Sequence, residues 1–83
     1  GIEQIAEIAM SVQPNPTSGE LSISMPSDLS AKAQVFDAQG KLVIDLSSVS
    51  NGSTLNLTNM TTGVYMIRIT AADSVQTFRV VKQ

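Results

Sequence analysis

The residues able to carry chemistry in this 83-residue chain are few, because it contains no histidine and no cysteine. Without histidine there is no Ser–His–Asp triad, no imidazole metal ligand and no side chain that titrates near neutrality. Without cysteine there is no thiolate nucleophile, no disulfide and no thiolate zinc site. The carboxylates that remain include Glu20, Asp28, Asp37, Asp45 and Asp73. None has the Asp-x-Asp-x-Asp spacing of a calcium loop, so we expect no metal, no cofactor and no catalysis.

Tyr65 is the aromatic residue that invites a binding role, as an exposed platform for a sugar ring. It opens a strand two residues after Gly63, however, as in the tyrosine corner of immunoglobulin-like sandwiches, whose hydroxyl bonds to nearby backbone. We therefore expect a structural role for Tyr65. The strand pattern offers a core position to each aromatic residue: Phe36, Tyr65 and Phe78. The methionines are likewise expected to fill irregular core gaps: Met10, Met25, Met60 and Met66.

The charged residues argue against a nucleic-acid partner. The chain carries seven acidic and five basic residues, a net charge of −2, and the basic residues are scattered. No run of lysine or arginine is available to track a phosphate backbone. Two interpretations of Arg68, Arg79 and Lys82 are open. Either their charges prevent strands of other chains from pairing with the sheet edges, or they form a basic stripe near the C-terminus that binds a partner.

Alternating apolar and polar residues predict seven short strands, over residues 8–13, 20–25, 31–36, 41–46, 55–57, 64–71 and 75–82. Asp37-Ala38-Gln39-Gly40 has the residues of a type I turn and is expected to close a hairpin, whereas 47–53 is expected to be a polar turn. Short β-branched strands at about ten-residue spacing favour a sandwich. We predict an all-β fold, an antiparallel, seven-stranded, immunoglobulin-like β-sandwich, over residues 11–83.

Residues 1–10 are predicted to be a linker that precedes this domain. Apolar residues at positions 2, 5, 6 and 9 fall at helical spacing, with polar residues between them. Isolated helices shorter than about 12 residues are marginal in water. We therefore expect the linker to order only against a partner.

Three segments, taken in order, resemble a known family. They are Val12-Gln13-Pro14-Asn15-Pro16-Thr17-Ser18-Gly19, Val35-Phe36-Asp37-Ala38-Gln39-Gly40-Lys41-Leu42-Val43 and Thr62-Gly63-Val64-Tyr65-Met66-Ile67-Arg68-Ile69, followed by Val80-Val81-Lys82-Gln83. From about Val12 to Gln83 the chain is similar to the type A C-terminal sorting domain of type IX secretion cargo. The motif residues, expected to be mainly structural, are Pro14, Asn15, Pro16, Gly19, Asp37, Gly40, Lys41, Gly63 and Tyr65. One departure is Arg79, where many members have lysine, which keeps the charge.

The resemblance implies a secretion signal and not an enzyme. In such proteins the domain is recognised in the periplasm by the type IX outer-membrane translocon and its shuttle proteins. These direct the N-terminal passenger to the outer membrane, the cell surface or the medium. A cysteine sortase at the surface commonly cuts in the preceding linker. The candidates for that cut in this chain are Gly1, Ala6 and Ala9.

The C-terminal residues are predicted to make the main translocon contact: Arg79, Val80, Val81, Lys82 and Gln83. The polar tail of Lys82 and Gln83 is expected to follow the last strand and to be the most reachable end. An unpaired edge strand, or exchange of the N-terminal segment between copies, offers a route to dimers.

Two alternative functions share the sandwich fold. One is a non-catalytic binding module, fibronectin-like or carbohydrate-binding, appended to a secreted enzyme. The other is a purely structural spacer or an adhesion-associated domain. The expected mark of a binding module is an exposed aromatic cluster or a metal loop, and neither pattern is present in the sequence.

Overall fold

The computed structural model describes residues 9–83, which form seven β-strands. The strands are β1 (Ser11–Gln13), β2 (Glu20–Ser24), β3 (Ser30–Phe36), β4 (Leu42–Ser50), β5 (Thr54–Asn56), β6 (Gly63–Ala71) and β7 (Ser74–Lys82). The prediction of a seven-stranded all-β fold is confirmed. The cleavage candidates Gly1 and Ala6, and the predicted strand start at Ile8, lie outside the described residues. Ala9 is exposed and precedes β1.

The strands form two antiparallel sheets, in the orders β1-β2-β5 and β4-β3-β6-β7. Alternation gives each sheet one apolar face, and the two apolar faces pack together as the core of a sandwich. Core residues from both sheets include Leu21, Ile23, Val35, Leu55, Ile67, Ile69 and Val80. The expected inward face of β6 is confirmed, since its members are all buried: Tyr65, Ile67, Ile69 and Ala71.

β4 is longer than the sequence pattern predicted. A polar turn was expected over 47–53, but the strand continues to Ser50, which pairs with Ser30. Val49 lies opposite Ala31 and is 3% exposed. A register shift between Ala31 and Ala33 marks a bulge in the pairing with β4. The prediction of a turn at 47–50 is therefore wrong, because the bulge interrupts the two-residue period by which a strand is recognised.

Phe36 and Met66 do not lie in the core, contrary to the prediction. They are half-buried cross-strand neighbours on the outer face of the four-stranded sheet. The phase of the strands is the reason: β3 and β6 turn Val35 and Ile67 inward, so the adjacent residue on each strand points outward. The remaining aromatic residues and methionines are buried in the core or pack against it: Met10, Met25, Met60, Tyr65 and Phe78.

The sandwich has two ends that carry different segments. At one end lie the 14–19 turn, the β3–β4 turn, the start of β6 and the end of β7, since Lys82 pairs with both Gly63 and Thr17. We call this the motif end. At the other end lie the start of β1, the β2–β3 connection and the β4–β5 and β6–β7 turns. We call this the linker end, because the chain enters the sandwich there.

Candidate functional site

The free edge of β7 is closed at the motif end by a distant turn of the chain. Asn15 donates from Nδ2 to the Arg79 carbonyl at 2.9 Å and accepts at Oδ1 from the Val81 N–H at 2.9 Å. The Thr17 N–H donates to the Val81 carbonyl at 2.9 Å, and its carbonyl accepts from the Gln83 N–H at 2.8 Å. Edge strands otherwise present unpaired backbone groups. These bonds hold the last residues of the chain in one position.

Prolines on both sides of Asn15 restrict the backbone conformations of this turn. Pro14 and Pro16 each have a fixed φ, and each restricts the residue before it to extended conformations. Both follow cis peptide bonds. The local sequence thus limits the directions in which the Asn15 amide can point.

Thr17 and Gly19 anchor the same turn from within. Thr17 is 1% exposed, and its hydroxyl donates to the Glu20 carbonyl at 2.8 Å and accepts from the Gly19 N–H at 3.0 Å. Gly19 has a φ of +153° and lies so close to Thr58 that a Cβ would be 2.9 Å from the Thr58 Cα. Glycine fits this position because it has no Cβ. The role of Thr17 was not predicted from the sequence, although a threonine hydroxyl that accepts the N–H two residues further on is a known turn motif.

Asp37 shapes the β3–β4 turn, also at the motif end. Its Oδ1 accepts the N–H groups of Gln39 and Lys41, both at 2.9 Å, and its carbonyl accepts the Gly40 N–H at 2.9 Å. Gly40 has a φ of +85°, which glycine adopts without strain. The predicted hairpin is confirmed. The Asp37 carboxylate serves the local backbone.

Tyr65 makes the hydrogen bond expected of a tyrosine corner. Its ring is in the core, 4% exposed, and its hydroxyl donates to the Thr61 carbonyl at 2.6 Å. The Thr61 Oγ1 lies 3.4 Å from the same hydroxyl. Because the ring is packed inside the sandwich, it offers no open face for a sugar.

The C-terminal residues are less accessible than predicted. Lys82 does not follow the last strand: it is the final residue of β7 and is 9% exposed, and Val80 is 1% exposed. Alternation along β7 turns these two side chains toward the core. The expectation that Lys82 belongs to the most reachable end is therefore wrong. Arg79 and Gln83 are exposed, and Val81 is half-buried.

The sequence matches the family described as "Secretion system C-terminal sorting domain" over residues 11–83. The chain belongs to this family. A search of curated proteins finds no match. Membership makes the chain a type IX secretion signal, which implies interaction with the secretion machinery and attachment to an N-terminal cargo domain. It also implies export to the cell surface or into the medium. Sorting-signal domains of this family are not catalysts.

The carboxylates of the sorting domain are dispersed. Asp28 and Asp73 lie at the linker end, whereas Asp37 lies at the motif end. Within residues 9–83, no three histidine, cysteine, aspartate or glutamate side chains converge closely enough to hold a metal ion. The same residues contain no helix long and apolar enough to cross a membrane.

Two of the three C-terminal cations of the sorting domain share a surface. Arg68 and Arg79 lie on the outer face of the four-stranded sheet, whereas Lys82 faces inward. Arg68 is on the central strand β6, so it does not guard an edge. It donates from Nη2 and Nε to Gln34 Oε1 at 2.7 and 3.2 Å, and its guanidinium carbon lies 5.1 Å from the centre of the Phe36 ring. Lys82 is therefore not part of this charged surface.

Proposed function

We propose that the motif end is the surface that the type IX translocon and its shuttle proteins recognise, and that the domain itself contributes recognition and no catalysis. The observation that carries this proposal is convergence: residues of the first and third sequence motifs bond to the C-terminal residues, and the Asp37–Gly40 turn of the second motif lies at the same end of the sandwich. The chain enters at the opposite end. A cargo domain joined through residues 1–10 would then extend away from the recognised surface.

Within the C-terminal residues we assign the direct contacts to Arg79, Val81 and Gln83, because their side chains are exposed or half-buried. Val80 and Lys82 hold β7 from the inner face. The bonds from the 14–19 turn fix the backbone of this segment. A partner therefore meets ordered residues, which reduces the conformational entropy lost on binding.

We further propose that the domain crosses the periplasm before export, and that a surface sortase then removes it by cutting in the linker. Small residues are available there at Gly1, Ala6 and Ala9. Of these, Ala9 is exposed ahead of β1, where the backbone is outside any strand. Mass spectrometry of the released cargo would identify the bond that is cut.

The recognition proposal is tested by fusing the domain to a secreted reporter and measuring surface delivery. Deletion of residues 81–83 is a poor test, because it also removes the backbone partners of Thr17. Arg79→Ser, which keeps those bonds, is expected to reduce delivery severalfold. Lys32→Ser is the matched control, since Lys32 is an exposed cation on the same sheet face but near the linker end. Circular dichroism checks that both variants fold.

Equal delivery by wild type, Arg79→Ser and a further variant carrying Gln83→Ser would refute recognition through the C-terminal residues. Reduced delivery by the control variant Lys32→Ser to the same extent would also refute it. The effect would then reflect the charge of the whole face and not the motif end.

A further inference from the structure

The β4–β5 turn, at the linker end of the sandwich, contains the dipeptide Asn51-Gly52, and both residues are exposed. The Ser53 N–H donates to the Ser50 carbonyl at 3.0 Å, and Gly52 has a φ of +89°. This is the geometry of a type II turn, whose third residue needs a positive φ and is usually glycine. A Cβ on Gly52 would meet nothing within 4 Å, so backbone conformation, and not crowding, is the reason for glycine here.

An asparagine that precedes glycine is chemically reactive, because glycine has no side chain to hinder attack by its amide nitrogen. In this reaction the Gly52 nitrogen bonds to the Asn51 Cγ and the Cγ–Nδ2 bond breaks. The Nδ2 group leaves as ammonia with the proton that the Gly52 amide loses. Water then opens the cyclic imide that has formed. Opening at Cγ gives aspartate, whereas opening at the main-chain carbonyl carbon gives isoaspartate, in which the backbone runs through Cβ and Cγ.

The fold holds both reacting groups apart from each other. The Met25 N–H donates to the Asn51 Oδ1 at 3.1 Å, so the side-chain amide is directed at the chain just after β2. The Gly52 N–H donates to the Ile23 carbonyl at 2.9 Å, which keeps the proton on the attacking nitrogen. Met25 and Ile23 are buried in the core. The two bonds therefore tie the turn to a rigid part of the sandwich.

We propose that Asn51-Gly52 is a site of spontaneous deamidation that the folded domain suppresses and the unfolded chain exposes. The modification then accumulates with the time that a chain spends unfolded. Aspartate keeps the backbone length and an oxygen that accepts the Met25 N–H. Isoaspartate adds an atom to the backbone inside the turn, which displaces the Gly52 N–H from the Ile23 carbonyl. The turn lies at the linker end, so this inference is independent of translocon recognition at the motif end.

Peptide mapping by mass spectrometry tests the proposal on the full chain, incubated at mildly alkaline pH in buffer and in guanidinium chloride. In denaturant we expect modification at Asn51, while Asn56 and Asn59 stay intact because leucine and methionine follow them. In buffer the rate at Asn51 should be lower by about 30-fold or more, the factor expected when two such hydrogen bonds must first break. Ion exchange follows the same reaction, since each event adds one negative charge to the net charge of −2.

Three variants separate the effect of the fold from the chemistry of the dipeptide. Ser53→Ala removes the Oγ that accepts the Ser50 N–H at 2.9 Å and leaves both reacting groups in place. It should accelerate deamidation in buffer about two- to tenfold and leave the rate in denaturant unchanged. Ser48→Ala is the matched control, at an exposed serine of β4 outside the turn, and should change neither rate. Gly52→Ala, compared in denaturant where the fold plays no part, should slow the reaction.

Unfolding curves establish that the two serine variants fold, and they also measure the effect of the modification. A chain that carries isoaspartate, separated by ion exchange and refolded, should unfold at a lower denaturant concentration than the unmodified chain.

Three results would overturn the proposal. One is an equal rate at Asn51 in buffer and in denaturant. Another is modification in denaturant that is spread evenly over Asn51, Asn56 and Asn59. The third is deamidation of Ser53→Ala in buffer at the same rate as Ser48→Ala, because the turn would then not control the reaction.

Discussion

Replacement of Gly19 by alanine is expected to destabilise the domain more than the same change at Gly63. Both glycines have a φ of +153°, where L residues are strained. Their surroundings differ. At Gly63 an added Cβ meets nothing within 4 Å, whereas at Gly19 it would lie 2.6 Å from the Thr58 Oγ1 and 2.9 Å from the Thr58 Cα. Gly63→Ala therefore reports backbone strain alone, and the difference between the variants reports the close approach of Thr58.

The magnitude follows from these two contributions. Backbone strain of this kind costs on the order of 1–3 kcal/mol, and forcing a methyl group into packed structure costs a further 1–3 kcal/mol or so. The Thr58 hydroxyl can rotate away, but its Cα can move only with the backbone. We therefore expect Gly63→Ala to lower the free energy of unfolding by about 1.5 kcal/mol and Gly19→Ala by about 3.5 kcal/mol. Alanine also restricts the unfolded chain, but equally in both variants.

Urea unfolding followed by circular dichroism measures this difference. With an m-value of about 1 kcal/mol/M, the two midpoints should differ by about 2 M. A total stability of about 4–12 kcal/mol is expected for 83 residues. If Gly19→Ala is unfolded without urea, both variants can be compared in sucrose, which favours the compact state. Equal midpoints, or a lower midpoint for Gly63→Ala, would refute the proposed contact with Thr58.

Three further substitutions probe other contacts. Asn15→Ala removes two hydrogen bonds to β7 and should lower the free energy of unfolding by about 1–2 kcal/mol. Hydrogen exchange at the Val81 amide should accelerate, and an unchanged rate would contradict the Asn15–Val81 hydrogen bond. Tyr65→Phe leaves the Thr61 carbonyl without its 2.6 Å partner and should lower the free energy of unfolding by about 1–2 kcal/mol in urea, whereas no loss would contradict the tyrosine corner. Ala72 has a φ of +53°, so Ala72→Gly should relieve backbone strain and raise Tm by about 3–6 °C, as measured by calorimetry. A lower Tm would contradict strain at Ala72.

Local alternation was sufficient to predict most of the sandwich. The inward face of β6 and the β3–β4 hairpin depend on neighbouring residues, namely the two-residue period and the Asp37–Gly40 turn chemistry. Prediction failed at residues 47–50, where β4 continues across a bulge. A bulge breaks the period that identifies a strand, so its position is apparent only when the partner strand is present.

The candidate site was predictable only in part. The residues 14–19 are recognisable as a turn. Asn15, however, forms hydrogen bonds with Arg79 and Val81, which lie 64 and 66 positions further along the chain. No local pattern reveals such a partner. The outward position of Phe36 and the inward position of Lys82 are similar cases, because an apolar or charged side chain at a strand end follows the phase of its strand even against its own preference.

The sequence by itself determined the fold class of this protein, because its short alternating strands predict a β-sandwich. Its ordered motifs were also sufficient to indicate a secretion signal. Tertiary structure alone decided which distant residues lie together and which side chains are exposed. It closed the β7 edge with Asn15 and Thr17, buried Lys82, and placed Arg68 and Arg79 on one outer face. The physical reason is that alternation specifies which residues share a strand face, whereas register and sheet order specify which distant residues become neighbours.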